Sequence, residues 1–250
     1  MPDTFTILAI AGTFALAGAV KGVIGMGLPT VCLALLTTLL GLPQAMVLLL
    51  VPSFATNLWQ AMAGGNARAI LRRLWPFLIM ATATVWLGAT ALTRVDLALL
   101  SALLGALLVV YSTISLAGLR LTISARQEAW AGPLLGIVNG ILTGMTGSFV
   151  VPGVIFLQAI GLSRDMLIQA MGMLFTASTL ALGLALGGNN LLSAELGAVS
   201  AAALLPAIGG MIFGQRIREK LSESLFRRVF FISLLLLGAY IIASSIGGFE

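Results

Sequence analysis

Lys21 stands inside the stretch "AVKGVIGMGLPT" (19–30), flanked by the uncharged apolar runs "FTILAIAGTFALAG" and "VCLALLTTLL". An ammonium group in apolar surroundings is costly, and in a membrane it marks a binding or transport site by default. The glycines at 22, 25 and 27 and the proline at 29 interrupt the helix around it. A second break, "NGILTGMTGS" (139–148), repeats the pattern with Asn139 where the first has Lys21. Half-helices that restart after such breaks present unpaired amides carrying partial positive charge, a setting for an anion. The candidate anion ligands are therefore Lys21, Gly25, Gly27 and Thr30 at the first break, and Asn139, Thr143, Gly147 and Ser148 at the second. Pro29 and Thr30 read as the start of a helix, and Ser148 holds the similar position in the second break.

A further polar set lies in the run 44–63, where Ser53, Asn57 and Gln60 share one helical face by their spacing. Asn57 and Gln60 are either donors to a bound oxyanion or interhelical glue; Thr176, Ser178 and Thr179 occupy the matching depth further on. Bland roles compete at the breaks too. Lys21 could snorkel to an interface, and Gly25, Gly27, Gly144 and Gly147 could serve close helix packing alone.

The elements that position these residues are membrane helices. The chain has 250 residues, 60% apolar and 8% charged, against roughly 25% charged in a soluble domain. Six runs have the length of ordinary spans: 44–63, 74–92, 97–118, 165–187, 191–212 and 229–247. Two longer stretches, 5–40 and 131–160, each carry one break and read as hairpins. No stretches alternate as an outer-membrane barrel requires. "MPDTFT" lacks the basic start of a cleaved signal peptide.

Charge decides whether 131–160 turns back; the uncharged loop 41–43 leaves 5–40 to internal repetition. If 131–160 returns to the side it started from, eleven basic residues outside Lys21 share one face and only Arg94 lies on the other. The positive-inside rule then places 64–73, 119–129 and 214–228 in the cytoplasm, with both termini and 188–191 outside. Trp59, Trp75 and Trp130 fall near the proposed cytoplasmic ends, as an aromatic belt would. Internal repetition supports two halves. "GAVKGVIGMGL" from Gly18 resembles "GIVNGILTGMTG" from Gly136, and "LLGLPQAM" resembles "AIGLSRDM". Each half is a hairpin plus three spans, 1–120 and 131–250, joined by a cytoplasmic linker at 121–130. Equivalent loops exchange their charge between halves, as in an inverted-topology repeat. The expected fold is thus an all-α polytopic membrane protein with two inverted repeats, whose hairpin tips reach toward the midplane.

Other chemistries lack their residues. There is no histidine, and the acidic residues sit at termini, in loops or near span ends, so no buried carboxylate relay is visible. An intramembrane enzyme would need an aspartate pair, a Ser–His pair or metal ligands within the spans. A Ser148–Lys21 dyad is the one nucleophilic arrangement the composition permits, and nothing places the two in contact. The single cysteine, Cys32, has neither a disulfide partner nor a metal-site partner set. No cofactor, metal or nucleic acid is expected; the partners are the bilayer and a small anion.

The runs "GAVKGVIGMGLP", "LLGLPQAMVLLLVPSFATNLWQA" and "NGILTGMTGSFVVPGVIFLQAIGLSRD" resemble the TauE/SafE family of membrane proteins, associated with sulfite and organosulfonate export. The resemblance covers both halves and implies an inner-membrane anion exporter. It departs at "CLALLTTLL", where family members often carry a proline, so this helix is expected to be straighter. An importer of a related anion and a non-transporting assembly or scaffold protein are the alternatives.

Overall fold

A computed structural model describes residues 3–119, 121–220 and 222–247. Both chain termini and Arg120, which the charge argument places, lie outside the described residues. The described residues are all-helical: α1 (Thr4–Ile24), α2 (Leu28–Leu40), α3 (Leu42–Leu48), α4 (Leu50–Met62), α5 (Ala67–Ala83), α6 (Val85–Ala89), α7 (Leu97–Leu116), α8 (Ala125–Thr146), α9 (Gly153–Ala159), α10 (Arg164–Gly188), α11 (Ala194–Ile217) and α12 (Glu223–Gly247). Among them α1, the α5–α6 stretch, α7, α10, α11 and α12 are each long and apolar enough to cross a membrane, and α3 with α4, a pair bent by 46°, passes the same test only when taken together. Side-chain caps set several starts: Asp3, Asp96, Ser163 and Ser193 each accept an amide of the first turn.

Two details add to the sequence reading. The run 44–63 is not one unbroken helix. Pro52 has no N–H for the Leu48 carbonyl, and the buried Ser200 of α11 enters the gap. Its hydroxyl donates to the Leu48 carbonyl at 2.8 Å and accepts the Val51 amide at 3.1 Å. The inserted side chain divides the helix at Leu49. Nor does the 121–130 linker stay a loop to its end. A capping box between Ser124 and Gln127 starts α8 at Ala125.

The chain forms two compact units, Met1–Pro52 with Val95–Leu119 and Leu192–Glu250, and Ser53–Arg94 with Arg120–Leu191. They do not coincide with the sequential halves. In the first unit α1 packs on α11, and α7 on α12. A methyl on Gly18 would meet the Ala207 carbonyl, and one on Gly22 the Met211 carbonyl; Gly210 and Gly214 lie as close to Ala15 and Ala19. These four glycines let the two backbones touch, and the register shows them running parallel. In the second unit Gly136, Gly140 and Gly144 of α8 bring it against Phe77, Ala81 and Val85 of the α5–α6 stretch, again in parallel. Close approach through small residues is a common basis of helix association in lipid. Gly18 and Gly22 correspond in sequence to Gly136 and Gly140, so matched glycines make matched contacts. α1 thus packs on a helix late in the sequence, and α8 on a stretch early in it.

Candidate functional site

The first break belongs to the first unit. Gly25 ends α1 at φ 80°, with its amide on the Lys21 carbonyl at 2.8 Å, and Gly27 caps α2 at φ 107°. Only glycine adopts these angles without strain. Pro29 falls in the first turn of α2 beside Thr30, where a missing N–H costs nothing. The first-turn amides of Leu28 and Thr30 have no intrahelical carbonyl. Lys21 is 5% exposed and Thr30 4%, so this cation and hydroxyl are both buried at the break. α1 has 21 residues, about 31 Å at 1.5 Å per residue. The break therefore follows a helix long enough to cross a bilayer. Gly22 faces Gly214 and Gln215, in the last turn of α11, and Gly27 faces Phe230, near the start of α12. The break lies toward the basic 214–228 segment. Asp3, Asp96 and Glu195 stand at the opposite helix ends.

The second break belongs to the second unit and is built differently. α8 continues through Gly140 and Gly144, which serve packing, and ends at Gly147 with φ 72°. Residues 148–150 are non-helical and buried. Ser148 does not begin a helix as expected: Pro152 precedes the first turn of α9, which starts at Gly153. Non-helical backbone survives at membrane depth only where protein satisfies it. Here α8 itself does so: Thr143 Oγ1 donates to the Ser148 carbonyl at 3.0 Å, and the Ser148 amide donates to Thr146 Oγ1 at 3.2 Å. Asn139 Oδ1 accepts the Gly153 amide at 2.9 Å and so caps α9. Its side chain is fully buried, and Nδ2 has no hydrogen-bond partner among the described residues. Asn139 lies near the middle of α8, so this unbonded donor sits well inside the helix layer.

The α4 face divides in role. Gln60 Nε2 donates to the Ile168 carbonyl at 2.7 Å, and Gln169 Nε2 returns a bond to the Ala61 carbonyl at 2.8 Å. Gln169 also accepts the Asn66 amide at 2.8 Å. Gln60 is thus a fastener between α4 and α10. Asn57 and Ser53 are fully buried, and the Ser53 hydroxyl has no partner among the described residues. Thr176 and Thr179 bond back to their own helix at Gly172 and Phe175, whereas the buried Ser178 hydroxyl has no partner among the described residues. Gln169 and Ser200 were missed in the sequence; the signal was an isolated polar residue in each of the apolar runs "MLIQAMGM" and "AVSAAALL".

At one end of this unit Arg73 forks onto Glu128, Nε to Oε1 at 2.8 Å and Nη2 to Oε2 at 2.7 Å, and also donates to the Ile160 carbonyl at 2.9 Å. That arginine ties the end of α9 to α5 and α8. Trp75 and Trp130 are exposed at the same level. No group of three or more metal-ligating side chains occurs among the described residues.

The family model described as Sulfite exporter TauE/SafE matches residues 10–241. Neither a curated protein nor a solved structure matches the chain.

Proposed function

Because the chain belongs to the sulfite exporter TauE/SafE family, whose members are membrane transporters and not enzymes, we propose that it exports a sulfur oxyanion or organosulfonate across the inner membrane. The observation that carries the anion reading is the buried Lys21 beside the first break. A cation held in a bilayer protein, next to the opening turn of α2, favours a negatively charged guest. Asn139 Nδ2 supports the same reading in the second unit, as a buried donor left over after its oxygen has capped α9. Lys21, Gly25, Gly27 and Thr30, and separately Asn57, Asn139, Thr143, Gly147 and Ser148, are the proposed ligand-binding residues. Gln60 drops to a packing role on its bond to Ile168.

The proposed topology keeps 64–73, 119–129 and 214–228 in the cytoplasm and the termini outside, with two inverted repeats. The reciprocal pairing of α1 with α11 and of α8 with α5 supports the repeat, since matched glycines carry both contacts. The test is efflux of sulfite, thiosulfate and sulfoacetate from loaded proteoliposomes beside protein-free vesicles. Faster efflux of at least one supports the reading. Equal efflux for every anion would leave a scaffold role in its place.

A further inference from the structure

In the first unit a cavity of about 540 Å³ opens between the end of α7 and the start of α12. Ser115 of α7 and Ser224, Arg227 and Arg228 of α12 form its polar side, and Phe231 and Ile232 its apolar side. None of the proposed transport ligands lines it. Ser224 lies three and four residues before the two arginines, so all three share a helix face. The floor is firm. Phe231 is buried and meets Tyr111 edge-on at 5.2 Å, and the α7 and α12 backbones approach closely at Gly105 and Gly238.

Arg227 and Arg228 are exposed, and neither pairs with a carboxylate among the described residues. Directly beyond them α12 turns apolar while staying exposed, at Val229, Ile232 and Leu236. The two guanidinium groups therefore stand where the helix passes from a polar to an apolar surrounding. Planar guanidinium forks match phosphate oxygens bidentately, and basic pockets between membrane helices at this level suit lipid head groups. We propose that this cavity binds the phosphate of an anionic phospholipid, with an acyl chain laid along Val229, Ile232 and Leu236. The apolar rim decides for a lipid over free phosphate, which would gain nothing from it.

The test is native mass spectrometry of the full chain in detergent, titrated with dioleoylphosphatidylglycerol, dioleoylphosphatidylcholine or inorganic phosphate. The wild type should bind the anionic lipid about tenfold more tightly than the zwitterionic one. Arg227→Gln with Arg228→Gln should remove that preference. Arg216→Gln with Arg218→Gln changes the net charge equally outside the cavity and should keep it. Ser115→Trp fills the cavity at unchanged charge and should weaken the anionic lipid about tenfold, which retains a test if the double variant does not fold. Equal binding of the two lipids, equal loss in the Arg216 and Arg218 variant, or inorganic phosphate bound as tightly as the lipid would overturn the proposal.

Discussion

Asn139 Oδ1 holds the amide of Gly153 at 2.9 Å, joining α8 to the first turn of α9 across the non-helical segment between them. One carboxamide thereby caps a short helix with its oxygen and keeps its nitrogen for another partner. The two roles separate by substitution. Asn139→Leu removes the cap and leaves a buried amide unpaired, at a cost of about 1–3 kcal/mol. Thermal unfolding in detergent should show a lower midpoint. Asn139→Asp keeps an oxygen for Gly153 but replaces the donor by a second acceptor. Anion efflux should fall about tenfold or more, the loss of a charge-assisted hydrogen bond of about 1.5–3 kcal/mol.

Glycine packing gives a second expectation. Gly22→Ala would drive a methyl into the Met211 carbonyl and should cost about 1–3 kcal/mol, the range for overpacking. Gly12→Ala has nothing within 4 Å of the new methyl. It should leave stability unchanged or raise it by up to about 1 kcal/mol, the helix preference of alanine over glycine. Denaturant unfolding in mixed micelles compares the pair.

These helices show what was legible in the sequence. Five of the six runs, 74–92, 97–118, 165–187, 191–212 and 229–247, overlap helices long and apolar enough to cross a membrane, because twenty apolar residues in succession have few alternatives. Gly25 and Gly27 were readable as part of a break because glycines and Pro29 together interrupt a helix. The second break was drawn too long because Gly140 and Gly144 look like breakers, while tertiary contact with the α5–α6 stretch uses them to bring backbones together. The split at Leu49 was illegible for a similar reason. Pro52 announced a weakness, but Ser200, some 150 residues away, turns it into a divided helix. Gln60 showed only that it was polar on a buried face. Its role as a fastener depends on Ile168 lying opposite.

Sidedness is the third expectation. A Cys32→Ser background removes the single thiol, which is buried. Arg68→Cys and Arg216→Cys should react with an impermeant maleimide from the cytoplasmic face alone, and Arg94→Cys and Asn189→Cys from the outer face alone. Labelling of residues 189 and 216 from one side would end the inverted-repeat proposal.

Membrane potential gives a fourth. With the interior negative, each negative charge leaving gains about 2.3 kcal/mol per 100 mV. At about 1.4 kcal/mol per factor of ten, that equals roughly a fifty-fold concentration ratio. Proteoliposomes under potassium-diffusion potentials should reverse net anion flux when the potential reverses. Flux indifferent to potential but driven by a proton or sodium gradient would replace uniport with electroneutral coupling.

Lys21 carries the anion reading, and its removal is the most direct measurement. Lys21→Met keeps the length of the side chain, removes the buried charge, and should leave the fold intact or steadier, since an intramembrane ammonium is a cost to folding. Sulfite efflux should be read from proteoliposomes holding equal amounts of folded wild type and Lys21→Met. The account predicts efflux from the variant reduced to the level of protein-free vesicles. Wild-type efflux from a well-folded Lys21→Met protein would contradict it and make the lysine a snorkelling residue.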